Sequence, residues 1–194
     1  DTFKMNPGAV EGFNADFDGD EMVVHVPQTV EARAEMELMY CVNHMFHPRK
    51  CSPIFSQIQD GQVGWYLITR PNTMFSREDV SRIMSTVRYD PNTPESIRIA
   101  DTPHTYNAVG AVLSQPPCQP GLWSGLQLAS VLLPPFLTMK KAGVEIVHGK
   151  MIKGPFTKSS MGSSSGSIVH HTLLYGGGHS TCRMISDMQR VSDV

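Results

Sequence analysis

The sequence predicts an α+β fold, because short β-branched runs and amphipathic helical runs follow one another without a repeat. Three observations carry this reading. Residues 22–26, Met-Val-Val-His-Val, are dominated by β-branched side chains of the kind that fit a pleated surface. Residues 76–88 open on Ser76 with Asp79 three places later, as a capping box does, and set Val80, Ile83, Met84 and Val87 on one helical face. Residues 144–156 read as a hairpin with Gly149 near its turn.

In chain order, residues 3–5 and 22–26 read as two short strands, and the polar segment between them is expected to hang from that scaffold. Residues 29–42 are ambiguous by period: Val30, Ala32, Ala34, Met36 and Leu38 alternate with Glu31, Arg33, Glu35 and Glu37, as in a strand. Propensity decides for a helix, since Ala, Glu, Arg, Met and Leu are strong helix formers. Thr29 is a suitable N-cap, and Arg33 with Glu37 makes an i,i+4 pair. After the helix at 76–88, the Pro- and Thr-rich stretch 90–120 reads as loop. Ser124 caps a short apolar helix that Pro134 ends. Beyond the hairpin, 162–167 is a loop of small residues, and a helix over 168–175 is stopped by Gly176, Gly177 and Gly178. A last helix starts near Ser180, with Met184, Ile185, Met188 and Val191 as its apolar face. Trp65 and Trp123 read as core or interface anchors.

The chemistry concentrates in Asn14-Ala15-Asp16-Phe17-Asp18-Gly19-Asp20-Glu21-Met22. Carboxylates crowded this closely repel one another, and a hard divalent cation with a preference for oxygen, Mg²⁺ above all, removes the conflict. Gly19 lets the loop turn tightly. Asn14 places an uncharged amide just upstream, within reach of a ribose hydroxyl. Phe17, alternating away from the carboxylates, is expected to anchor the loop in the core. A Ca²⁺ loop of the EF-hand kind is rejected: counted from Asp16, its glycine and glutamate positions fall on Glu21 and Pro27. A D-x-D-G-T phosphatase loop is disfavoured, because Asp20 stands at the threonine and no downstream pair of adjacent acids completes the site.

Other constellations carry less. Cys41, His44, His47 and Cys51 have zinc-type donors, but they sit at a helix end broken by Pro48 and lack two separated halves, so no zinc is expected. The loop 159–167 after Lys158 hints at phosphate but lacks G-x-x-x-x-G-K-[ST], which excludes a P-loop. His25 between Val24 and Val26 reads as a structural histidine; of His170 and His171, one is expected to pack and the other to face solvent.

The nine residues from Asn14 to Met22 resemble the active-site loop of the largest subunit of multisubunit DNA-directed RNA polymerases. The likeness continues through His25-Val26-Pro27-Gln28 and Glu31-Ala32-Arg33-Ala34-Glu35. It extends to Ser52-Pro53-Ile54 with Gln59-Asp60 and Leu67-Ile68-Thr69, and to Leu122-Trp123-Ser124-Gly125 with Gln127, where Leu126 takes a lysine position. Lys158-Ser159-Ser160-Met161-Gly162 and Ser165-Gly166-Ser167-Ile168-Val169-His170 are similar to the family's pore region. Glu21 and Pro27-Gln28 lean toward its eukaryotic, archaeal and large-DNA-virus branch.

The resemblance implies the C-terminal part of a double-psi β-barrel followed by a mixed helical and strand pore-funnel region. Residues 1–28 would be the barrel end with its metal loop, 29–143 the helical and mixed connecting/pore region, and 144–194 the pore/funnel region. It implies Mg²⁺-dependent transfer of nucleotides from NTPs to an RNA 3′ end on a DNA template. One Mg²⁺ would be held by Asp16, Asp18 and Asp20, a second would arrive with the NTP, and Asn14 would bind the sugar. Partners would be the second-largest subunit, other polymerase subunits, the DNA template and the RNA transcript. The alternative from another class is a non-catalytic segment of a split or derived subunit, against which the intact aspartate spacing argues.

Composition bounds this. The chain has 194 residues, 40% hydrophobic and 18% charged, enough for a core. Its net charge of −2 is low for a nucleic-acid handler, so the groove-lining basic residues are expected elsewhere in an assembly. Twelve methionines suit irregular cores and interfaces. Four cysteines without a framework spacing fit a reducing compartment. No run suggests a membrane partner. The resemblance places the protein inside the cell: in a nucleus if eukaryotic, in cytoplasm or virion if archaeal or viral. Opening on Asp1, the chain reads as an excerpt.

Overall fold

A computed structural model describes residues 2–39, 42, 44–87 and 108–194. The class is α+β. A short 3₁₀ turn, Pro7–Ala9, leads into α1 (Val10–Phe13), and α2 (Val30–Leu38) follows. The body begins at α3 (Gln59–Ile68), β1 (Met74–Ser76) and α4 (Arg77–Met84). It continues through α5 (Ala108–Leu113), β2 (Leu122–Ser124) and α6 (Gly125–Leu132). Three strands, β3 (Met139–Lys141), β4 (Val144–Val147) and β5 (Lys150–Lys153), then precede α7 (Lys158–Met161) and the long α8 (Ile168–Ser192).

The strongest local signals produce what they encode. Ser76 accepts from the Asp79 N–H at 3.2 Å while Asp79 accepts from the Ser76 N–H at 3.2 Å, a complete capping box that starts α4. Its face of Val80, Ile83, Met84 and Val87 is buried. Ser124 and Gln127 cap α6 in the same way, and Thr29 caps α2 through the Ala32 N–H at 3.1 Å. The hairpin pairs β4 with β5 in antiparallel register, Val147 opposite Lys150, across His148 and Gly149. Gly177 (φ 73°, ψ −179°) breaks the helical conformation within α8, so two helical runs meet at a kink inside the glycine stretch where the sequence places the stop.

The core gathers around Trp65 of α3, which is fully buried. Its indole N–H donates to the Met188 carbonyl at 2.9 Å, joining α3 to α8, and its ring meets Phe156 edge to face at 6.0 Å. Burying an indole removes roughly 200 Å² from water, about 5 kcal/mol at 25 cal/mol/Å² before ordering costs. Thr69 ties the same region together, donating to the Trp65 carbonyl at 2.6 Å and accepting from the Phe156 N–H at 2.9 Å. Trp123 is the second anchor, with its indole N–H on the Gln115 carbonyl at 3.2 Å.

Several expectations fail here, each for a non-local reason. Residues 3–5 and 22–26 are not strands, because no described segment supplies a hydrogen-bonding ladder to them. Val23 and Val26 consequently face solvent, and His25 is exposed rather than packed. Phe17 is 75% exposed instead of anchoring the loop. The stretch 90–120 is not all loop: α5 forms from Ala108, and the part up to residue 107 lies outside the described residues. The helix α3 is absent from the sequence reading because Gly61 and Gly64 lower its propensity. Those glycines face Gln189 and Ser192 of α8, so contact between the helices replaces what propensity lacks. The strands β1 and β2 pair with each other, Phe75 opposite Trp123, although neither reads as a strand alone.

Candidate metal centre

The loop of acids is built outward from α1. This helix ends at Asn14, which adopts the left-handed conformation (φ 49°, ψ 38°) and donates its backbone N–H to the Glu11 carbonyl at 3.2 Å. Asparagine tolerates that conformation better than other residues with a Cβ, so Asn14 turns the chain out of the helix as well as offering an amide. The Ala15 N–H reaches back to the Val10 carbonyl at 3.3 Å. The next residue is Asp16, so the acids start where a helix end has fixed the backbone.

Two short-range bonds then close the loop. The Asp16 N–H donates to Asp20 Oδ2 at 3.0 Å, and the Asp18 N–H donates to Asp16 Oδ1 at 3.4 Å. Gly19 sits at φ 119°, a conformation that a side chain at this position would strain. Asp16, Asp18 and Asp20 each present one oxygen within 4.8 Å of the others, and all three are exposed. Among the described residues this is the cluster of three or more potential metal ligands. The donors fit Mg²⁺: they are hard carboxylate oxygens, and their exposure leaves room for the waters that this ion keeps.

The other sequence candidates are scattered. Asn14 shares the loop, with its side chain exposed. Of the four zinc-type residues, Cys41 lies outside the described residues. His44 Nε2 donates to the Leu38 carbonyl at 3.0 Å, His47 Nδ1 accepts from the Arg49 N–H at 3.2 Å, and Cys51 is exposed. The small-residue loop 162–167 is braced by Lys141, whose ammonium donates to Ser164 Oγ at 2.9 Å and to the Ser165 carbonyl. His170 Nδ1 accepts from the Gly166 N–H at 3.1 Å, and His171 stacks on Tyr175 at 6.1 Å; both imidazoles are half-buried. Burial, reinforced by His170 and Lys141, pushes His171 below the usual histidine range, which disfavours it as a cationic phosphate ligand.

Two features were not legible in the sequence. A groove of about 840 Å³ runs between α1 and the start of α3, with Glu11, Asp60 and Lys158 on its rim and Val10 and Phe156 among its walls. Ser163 donates to Glu11 Oε1 at 3.2 Å, linking the small-residue loop to the helix that carries the acids. Contacts between residues this far apart leave no signature in a local pattern.

Comparison with known proteins gives a consistent answer along the chain. Residues 1–42 match the family described as RNA polymerase Rpb1, domain 2, and residues 44–192 match RNA polymerase Rpb1, domain 3. The chain is 30% identical over 98% of its length to DNA-directed RNA polymerase II subunit RPB1-B of Trypanosoma brucei brucei. It is 38% identical over 71% of its length to DNA-directed RNA polymerase subunit Rpo1N of Thermococcus celer. It is 30% identical over 89% of its length to the DNA-directed RNA polymerase RPB1 homolog of African swine fever virus. The matched parts are 10%, 14% and 12% of those relatives, so the chain spans a small fraction of their length.

Proposed function

Because the chain belongs to the RNA polymerase largest-subunit family, we propose that it carries the metal-binding half of a polymerase active centre. The observation that carries the proposal is the convergence of Asp16, Asp18 and Asp20 within 4.8 Å on a loop mounted at a helix end. In this reading the carboxylates of Asp16, Asp18 and Asp20 would hold one Mg²⁺, and the triphosphate of the substrate would carry a second. When bound, the two ions supply charge neutralisation at the attacking 3′ hydroxyl, the α-phosphate and the departing pyrophosphate.

The chain's own residues do the rest by placement. The backbone bonds to Asp16 and Asp20 occupy one oxygen of each, which leaves the other oxygen free and fixes the direction of its carboxyl group. Gly19 keeps the loop tight enough for Asp18 and Asp20 to face the same point. In this reading Asn14, at the left-handed turn just before the acids, binds the ribose of the substrate and senses its 2′ hydroxyl. The exposed apolar side chains of residues 3–39 pair, in this reading, with the remainder of a double-psi barrel and with other polymerase subunits. In this reading residues 1–28 form the barrel end, 29–143 the mixed connecting/pore region, and 144–194 the pore/funnel region.

Metal placement is testable directly. Fe²⁺ exchanged for Mg²⁺ in the assembled enzyme, with peroxide and a reductant, releases hydroxyl radicals that cut peptide nearby. Cuts are expected within residues 14–22; cuts confined to other segments would remove the metal from this loop. Asn14→Ala is expected to leave metal-dependent cutting intact while reducing the preference for ribo- over deoxyribonucleotides. Unchanged sugar discrimination would take Asn14 out of the substrate site.

A further inference from the structure

On its C-terminal side the aspartate loop has no frame among the described residues, because Val23, Val24, His25 and Val26 are exposed and lie outside any strand. What holds it is the mount, α1 and the 3₁₀ turn before it. Gly8 and Gly12, four residues apart, lie against the body. A Cβ on Gly8 would stand 3.1 Å from Ile185 and 3.3 Å from the Ser56 carbonyl, and one on Gly12 3.3 Å from Ile54. Val10 is buried beside them. Among the described residues this packing brings the mount against the body without a backbone hydrogen bond between them.

Rotation needs a directional contact, and the structure has one. Ser163 Oγ donates to Glu11 Oε1 at 3.2 Å. Behind Ser163 the loop is braced twice, by Lys141 on Ser164 and Ser165 and by Ser164 Oγ on the Ser159 carbonyl at 2.7 Å. Beyond Glu11, its own carbonyl accepts the Asn14 N–H that closes the helix, and Asp16 follows two residues later. We infer that Ser163 and Glu11 are positioning residues for the metal loop: the small-residue loop 162–167, through this one hydrogen bond, orients the helix on which the three aspartates are mounted. The inference rests on the proposed role of those aspartates and deepens it, because it makes metal affinity depend on the state of a loop remote in sequence.

The experiment uses the assembled polymerase carrying Ser163→Ala, Glu11→Ala, the double variant and Glu11→Gln, and reads the Mg²⁺ concentration that half-saturates elongation. Losing one hydrogen bond to a charged acceptor is expected to raise that concentration about threefold to tenfold in each single variant, with the elongation rate at saturating Mg²⁺ much less affected. The double variant is expected to match the singles rather than multiply them, since both remove the same contact. Glu11→Gln keeps an acceptor oxygen for Ser163 and is expected to recover most of the wild-type value. A merely structural weakening would not be rescued in this way. Wild-type Mg²⁺ dependence in Ser163→Ala, or multiplicative single effects, would overturn the inference. Asp18→Ala run in parallel separates the two levels. If it stays active, the metal reading fails and this inference with it; if it is inactive while Ser163→Ala is unaffected, the positioning role alone fails.

Discussion

In the assembled polymerase, Asp18→Ala is expected to lower the elongation rate by at least about 10²–10³-fold, the typical cost of removing one preorganised electrostatic contact at a reacting centre. Asp18 is the informative position of the three. Asp20 accepts the Asp16 N–H, and Asp16 accepts the Asp18 N–H, so truncating either would also loosen the loop. Neither of these bonds uses the Asp18 carboxylate, so its removal takes away a proposed ligand and leaves the loop's closure in place. The measurement is single-nucleotide extension at saturating NTP over a range of Mg²⁺ concentrations. Partial recovery at high Mg²⁺ fits a lost ligand; near-normal elongation at ordinary Mg²⁺ would remove the aspartates from catalysis and revive the reading of the chain as a non-catalytic structural segment.

The second large effect concerns the chain by itself, which is expected to make no RNA and to self-associate. A triphosphate brings several negative charges to a loop that already holds three carboxylates, and the chain's net charge of −2 offers no surplus of cations to offset them. Positioned partners are as necessary as metal for bond formation. The same arm exposes Phe3, Phe13, Phe17, Val23 and Val30, a concentration of apolar surface that favours association. Primer extension with Mg²⁺ and NTPs on the purified chain, beside the assembled enzyme, tests the first part, and size-exclusion chromatography over a concentration series tests the second. Template-dependent synthesis by the chain alone would place the whole active centre within these 194 residues. A monodisperse monomer would show that the exposed apolar residues need no cover.

The sequence by itself determined the features that depend on neighbours a few residues apart. The spacing of Asp16, Asp18 and Asp20 brings their carboxylates together because the chain cannot separate them far. The capping pairs Ser76 with Asp79 and Ser124 with Gln127 form because donor and acceptor lie three residues apart at a helix start. The tertiary structure alone decided whatever joins distant segments. Residues 22–26 have the composition of a strand but no ladder to join among the described residues, whereas Met74–Ser76 and Leu122–Ser124 are strands because each supplies the other's hydrogen bonds. The glycines of α3 weaken it as a helix in isolation yet let it approach α8 around Trp65. Phe17 reads as an anchor because it alternates away from the carboxylates, but burial is a sum over neighbours, and here the described chain provides none close enough to cover it. Ser163 meets Glu11 across 152 residues of sequence, a relation that composition and period cannot encode.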